Sequence, residues 1–71
     1  MNNNWIPIAE SLPGHIGAYL VTVETKVFHK YHSTDIVHYI HREWYYVHSG
    51  TEIQGSVIAW MPLPEPYKEK K

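Results

Sequence analysis

The chain has 71 residues, a formal net charge of −1 and no cysteine. It therefore has room for a single hydrophobic core that removes only about 60 % of the unfolded surface from water, with no disulfide to reinforce it. Packing, a metal or self-association must supply what is missing. Up to Glu65, Lys26, Lys30 and Arg42 stand against Glu10, Glu24, Asp35, Glu43, Glu52 and Glu65, leaving −3. That sign argues against a duplex-binding surface. The basic residues Lys68, Lys70 and Lys71 crowd into a tail expected to fray over 68–71. No run approaches the ~20 apolar residues of a membrane span, and Met1 to Asn4 lack the features of a secretory signal, so a cytoplasmic location is expected.

Three tryptophans, six tyrosines and one phenylalanine are a heavy aromatic load for one small core. Each ring buries on the order of 150–250 Å² when the fold allows it, so some are expected to stay at the surface as contact residues.

In chain order, Trp5-Ile6-Pro7-Ile8 reads as a short strand, and Ala9 to Leu12 as one helical turn stopped by Pro13-Gly14. Gly17 opens the clearest strand, Ala18 to Glu24, in which Tyr19, Val21 and Val23 alternate with Thr22 and Glu24. Thr25 to Asp35 has no clean period and reads as a strand end followed by a loop. Ile36 to Val47 is dense in β-branched and aromatic residues around His41-Arg42-Glu43, the pattern of a hairpin.

A two-residue turn at His41-Arg42 pairs Ile40 with Glu43, Tyr39 with Trp44, His38 with Tyr45 and Val37 with Tyr46. Val37, Tyr39, Trp44 and Tyr46 then form the core face, and the opposite face is mixed. Neither turn residue favours positive φ, so a longer loop is the alternative. Ser49-Gly50 and Gly55 bracket a loop, and Ser56 to Met61 is the last strand before Pro62, Pro64 and Pro66. These prolines lack amide donors and should leave the sheet as an extended exit. With no window of about ten helically periodic residues, the fold class is mostly β. The expected architecture is one domain with a small antiparallel sheet of about four strands, open to rolling into a partial barrel, and a proline-rich extended C-terminus.

The opening WIPIAESLPGHIGAYLVTV and the closing VIAWMPLPEP resemble the two ends of a family of small phage and prophage proteins, the domain of unknown function 551 family. Trp5-Ile6, Leu12-Pro13, Gly17 to Val23, Trp44 and Trp60 to Pro66 carry the resemblance. Two positions depart from the family pattern: His41-Arg42 replaces a frequent Asp-Gly turn, and Ala59 replaces a frequent histidine. The resemblance implies a phage-borne or prophage-borne accessory protein of the bacterial cytoplasm and supplies no activity.

The six histidines are the most conspicuous chemistry. His29 and His32, like His38 and His41, lie three residues apart, and on a strand such residues point to opposite faces. A metal site would need a loop around His29 and His32 with His48 or Asp35 as third ligand. No serine sits in a nucleophile frame, carboxylates are unpaired in sequence, and no phosphate cradle exists, so a non-catalytic protein without cofactor is expected.

The expected function is host modulation through protein–protein contact. Tyr31, Arg42, Trp44 and Tyr45 are the candidate partner-binding residues, though the simpler reading puts Trp44 and Tyr46 in the core and Tyr45 alone outside. Trp5 and Trp60 are expected to fasten the chain end against each other or against Pro62 and Pro64. A histidine-liganded metal or pH-responsive module, a single-stranded nucleic-acid binder using exposed aromatics, and a homodimer are the alternatives.

Overall fold

A computed structural model describes residues 4–64. Five strands form one antiparallel sheet: β1 (Ile6–Pro7), β2 (Gly17–Lys26), β3 (Lys30–Ile40), β4 (Glu43–Tyr46) and β5 (Ser56–Pro62), in the order β1-β5-β2-β3-β4. The sheet keeps two ends and does not close into a barrel. No helix occurs among the described residues. The expected frayed tail 68–71, Glu65 and Pro66 lie outside those residues.

Alternation in β2 decides which face is buried. Tyr19, Val21 and Val23 point to one side, and register places Val37 opposite Tyr19 and Trp60 opposite Val21. Val21, Val23, Val37, Tyr39, Val57 and Trp60 form the buried hydrophobic core, with Ile6, Ile8, Trp44 and Ile53 packed around them. The connection before β2 lies over this face. Pro7 O accepts from the amides of Glu10 (2.9 Å) and Ser11 (3.3 Å), giving the single turn expected there. Trp60 Nε1 donates to Ser11 O at 3.0 Å and Tyr19 Oη donates to His15 O at 2.9 Å, which tie the segment down.

Four aromatic rings then cross four strands. Trp60 and Tyr19 meet edge-on at 5.2 Å, Tyr19 and Tyr39 at 6.4 Å, and Tyr39 and Trp44 tilt together at 4.6 Å. Each such pair contributes about 0.5–1.5 kcal/mol beyond its buried area.

The hairpin takes the register read from the alternation: Val37 opposite Tyr46, His38 opposite Tyr45, Tyr39 opposite Trp44 and Ile40 opposite Glu43. His41 and Arg42 adopt φ of 52° and 69°, the left-handed pair of a type I′ turn, so the longer loop does not form. Cross-strand packing of Tyr39 on Trp44 outweighs the local strain of two side-chain-bearing residues in that region. After β4 the chain doubles back, with the Tyr46 amide donating to Thr51 O at 2.8 Å and the Ile53 amide to Trp44 O at 3.1 Å.

Three expectations need correction. The strands number five, not about four. Lys30 to Asp35, read as loop, is the first half of the eleven-residue β3. All six of these residues are exposed, so no hydrophobic alternation is imposed on their sequence. Pro62, expected outside the sheet, is the last residue of β5, opposite Tyr19. β1 faces β5 only at Trp60 and Ala59, so the missing amide of Pro62 costs no ladder bond on that side.

A bulge interrupts β2–β5 pairing between Thr22 and Val23, and Gly55 lies beside it. A Cβ on Gly55 would stand 2.6 Å from Glu24 O and 2.8 Å from Val23 Cγ1. Gly55→Ala should therefore destabilise the protein by about 1–3 kcal/mol in urea unfolding, and an unchanged midpoint would contradict this packing. Replacing His41-Arg42 by Asn-Gly should instead stabilise by about 1 kcal/mol, raising Tm by roughly 4–8 °C. A fall in Tm would contradict the turn assignment.

Candidate functional site

β2 and β3 are longer than their neighbours, and that difference builds the candidate site. β5 accompanies β2 only as far as Glu24, and β4 accompanies β3 only from Val37 onward. The remainder, Thr25-Lys26 against Lys30-Tyr31 and the turn between them, is a two-stranded arm. At its tip Phe28 is 97 % exposed and Val27 67 %, while Tyr31 is 46 % exposed beside the His29 ring at 5.9 Å. Apolar side chains this free of contact gain nothing for the isolated fold.

The outer edge of β3 is open along the same stretch. Ile36 N–H donates to the carboxylate of its own neighbour, Asp35 Oδ1, at 2.9 Å, which shows that this amide points away from β2. By the period of two, the amides of Thr34 and His32 point the same way. Among the described residues no strand stands on that side of Lys30 to Ile36. A hollow of about 420 Å³ adjoins this edge, lined by Leu20, Thr34, Asp35, Ile36, Val47 and His48.

The sequence-derived candidates do not form one site. Trp44 is half-buried against Tyr39 on the core face, and Tyr45 lies on the opposite face, where its hydroxyl donates to Glu43 Oε1 at 2.8 Å. That hydrogen bond, with burial and the Glu43 and Glu52 charges adding to it, pushes the Tyr45 phenol up from its ordinary value. Arg42 sits in the turn, and Tyr31 lies nine residues along β3 from Ile40, roughly 30 Å away in extended chain. Trp60 meets Tyr19 and donates to Ser11 O, and Ile6 rather than Trp5 stands opposite it. Pro62 lies in β5 and Pro64 is exposed beyond it.

The histidines are likewise dispersed. His29 is at the arm tip, His32 faces Glu24 and His48 lines the hollow next to Asp35. Among the described residues no three histidine, aspartate or glutamate side chains are grouped as metal ligands. Phe28, Ile36 and Leu20 were not singled out by sequence reasoning. The available signal was the apolar pair Val27-Phe28 inside an otherwise polar stretch.

One ionic cluster stiffens the arm. Glu24 Oε2 lies 3.2 Å from His32 Nε2 and 3.8 Å from Lys30 Nζ. The His32 hydrogen bond holds the Glu24 carboxyl below its ordinary 4.5, opposed by desolvation and helped by Lys30 and Lys26. A carboxyl depressed on folding contributes stability above its unfolded value, and that contribution is lost as pH falls through the folded value. His32→Ala should lower Tm above pH 4.5, with the gap to the parent protein closing below it. Thermal melts between about pH 2.5 and 6 measure this, and a gap independent of pH would contradict the assignment.

No helix among the described residues is long and apolar enough to cross a membrane. No curated protein and no solved structure matches the chain. The family model described as protein of unknown function, DUF551, matches residues 4–68, a span that includes the arm, the hairpin and the Trp60 anchor. The chain belongs to the DUF551 family.

Proposed function

We propose that this is a phage-encoded or prophage-encoded accessory protein that binds a host protein in the bacterial cytoplasm and modulates it by contact, without catalysis. The origin and compartment rest on the resemblance of the chain's two ends to small phage proteins. The contact rests on the arm. Phe28, 97 % exposed at the tip of a two-stranded ribbon, is the observation that carries the reading. The ribbon shares its length with the open edge of β3, whose outward amides at His32 and Thr34 offer main-chain donors to an incoming strand. Side chains of that strand would find the hollow beside Leu20, Ile36 and Val47 on one face and Tyr31 on the other.

Edge pairing of this kind draws affinity from main-chain bonds and specificity from the flanking pockets. Native edges left open invite unwanted pairing, and here charge moderates that hazard: Asp35 occupies one outward amide and Lys30 flanks the strand.

Two substitutions separate binding from folding. Thr34→Pro removes an outward donor without touching the β2–β3 ladder, and Phe28→Ser removes the exposed ring. The parent protein should capture a host protein from bacterial lysate, and each variant should keep its β-type circular dichroism while losing at least about tenfold in affinity for that protein. Undiminished capture by both variants would overturn the reading. So would tight binding of single-stranded DNA with no protein captured.

A further inference from the structure

We infer that the protein surface receiving the arm is acidic, and that one of its carboxylate side chains enters a hollow at the arm's base and pairs with Lys26. The inference rests on the arm as the contact element and adds the chemistry of what receives it.

Charge is unevenly spread over the sheet. Among the described residues the cations are Lys26, Lys30 and Arg42, and the first two stand directly opposite each other where β2 ends and β3 begins. Like charges in that relation destabilise a strand pair. Glu24 relieves Lys30, its Oε2 lying 3.8 Å from Lys30 Nζ. The same oxygen lies 3.2 Å from His32 Nε2, so this carboxylate is turned toward β3. Lys26 itself is exposed, and among the described residues none forms a salt bridge with it. Val27, Phe28 and His29, which complete the turn, carry no negative charge.

The other carboxylates lie elsewhere. Asp35 is roughly 17 Å from Lys30 along extended β3, beyond the Debye length of about 8 Å at physiological salt. Glu43 and Glu52 belong to the hairpin, opposite Ile40 and Tyr45 and farther along the strand. Glu10 follows β1, whose partners Trp60 and Ala59 sit beside Val21 and Thr22. The arm is therefore a cationic end on a body that, Arg42 apart, is acidic.

A hollow of about 400 Å³ opens where β5 leaves β2, on the flank of the arm away from β3. Lys26 forms part of its wall, and Thr25, Gln54 and Ser56 line it with hydroxyl and amide groups. Glu24 also borders the hollow, with its carboxylate committed to His32 and Lys30. An ammonium beside hydroxyl and amide donors suits a carboxylate, whose oxygens accept charge-assisted hydrogen bonds. An aspartate or glutamate of the partner would neutralise Lys26 and lift the repulsion that Lys30 imposes on it in the free protein.

The body repels an acidic surface and the arm attracts it, so encounter is oriented arm first. Phe28, 97 % exposed, leads. The same tip is too small to hold an anionic bilayer: two lysines and one ring give an affinity on the order of 1 mM. Lipid also supplies no strand for the outward amides of His32 and Thr34. Two lysines likewise neutralise only two phosphates of a nucleic acid.

The probe is the host protein that the parent chain captures from bacterial lysate, with affinities measured at about 50 and 300 mM salt. Lys26→Glu should weaken binding at least about tenfold at the lower salt and flatten its salt dependence, whereas Lys26→Arg should stay within about threefold of the parent. Lys26→Gln, which removes the charge alone, should lose at least about threefold. Lys26→Glu sets opposite charges across the strand pair and should melt no lower than the parent, which separates lost contact from lost fold; a lower Tm would contradict the repulsion. Undiminished binding by Lys26→Glu, or an equal loss with Lys26→Arg, would overturn this inference alone where Phe28→Ser still abolishes capture. Capture of no protein at all would overturn both it and the arm's role. Tighter binding of the parent chain to phosphatidylglycerol vesicles or to single-stranded DNA than to any protein would assign the tip to lipid or nucleic acid and overturn it as well.

Discussion

Everything in this fold depends on a line of aromatic rings laid across one face of a single sheet. Trp60, Tyr19, Tyr39 and Trp44 come from β5, β2, β3 and β4 and touch in that order. Side chains of Val21 and Val37 fill the interior beside them without exposure. Valines alone would bury too little area in a chain of this length, since the hydrophobic contribution scales with apolar surface removed from water. The rings supply that area and also fix strand registry, because each contact joins neighbouring strands. Tyr39 stands directly opposite Gly17 and meets the Tyr19 ring on the same face.

A sheet fastened along one face has consequences for the rest of the molecule. Loops, not helices, cover the rings, and the Ser11 and His15 carbonyls hold the covering segment through the polar tips of Trp60 and Tyr19. On the other face Ile36 remains 47 % exposed. Past Val23 and Val57 the burial ends, and β2 and β3 continue as an arm held by main-chain bonds and the Glu24 cluster. Stability should fall off along the arm toward Phe28, since local opening is easiest where few buried contacts must break. Low local stability suits a segment that adapts to a partner strand.

The legible part of the sequence was the part that the core disciplines. Alternation of Val37, Tyr39, Trp44 and Tyr46 gave the hairpin register residue for residue, even though His41-Arg42 is unfavourable turn chemistry. A one-residue slip would have turned all four away from the interior. Lys30 to Asp35 was illegible for the complementary reason: a stretch whose six residues are all exposed sets no hydrophobic period. The candidate site followed the same division. Trp44 and Tyr46 could be placed on the core face from their spacing, and Tyr45 on the other. Phe28 could not be recognised as a projecting tip without knowing that β2 and β3 outrun their neighbours, a property of strand lengths rather than of any motif. The metal alternative needed a loop at His29 and His32, and β3 begins between them.

The Tyr19–Tyr39 contact stands at the middle of the ring line and is the most direct place to test it. A double-mutant cycle with Tyr19→Leu and Tyr39→Leu in urea keeps apolar volume while removing the ring edges, and isolates their coupling from the loss of area. The account predicts a favourable coupling energy of about 1 kcal/mol between the two rings. Additivity within about 0.3 kcal/mol would show that the rings act only as bulk and would contradict it.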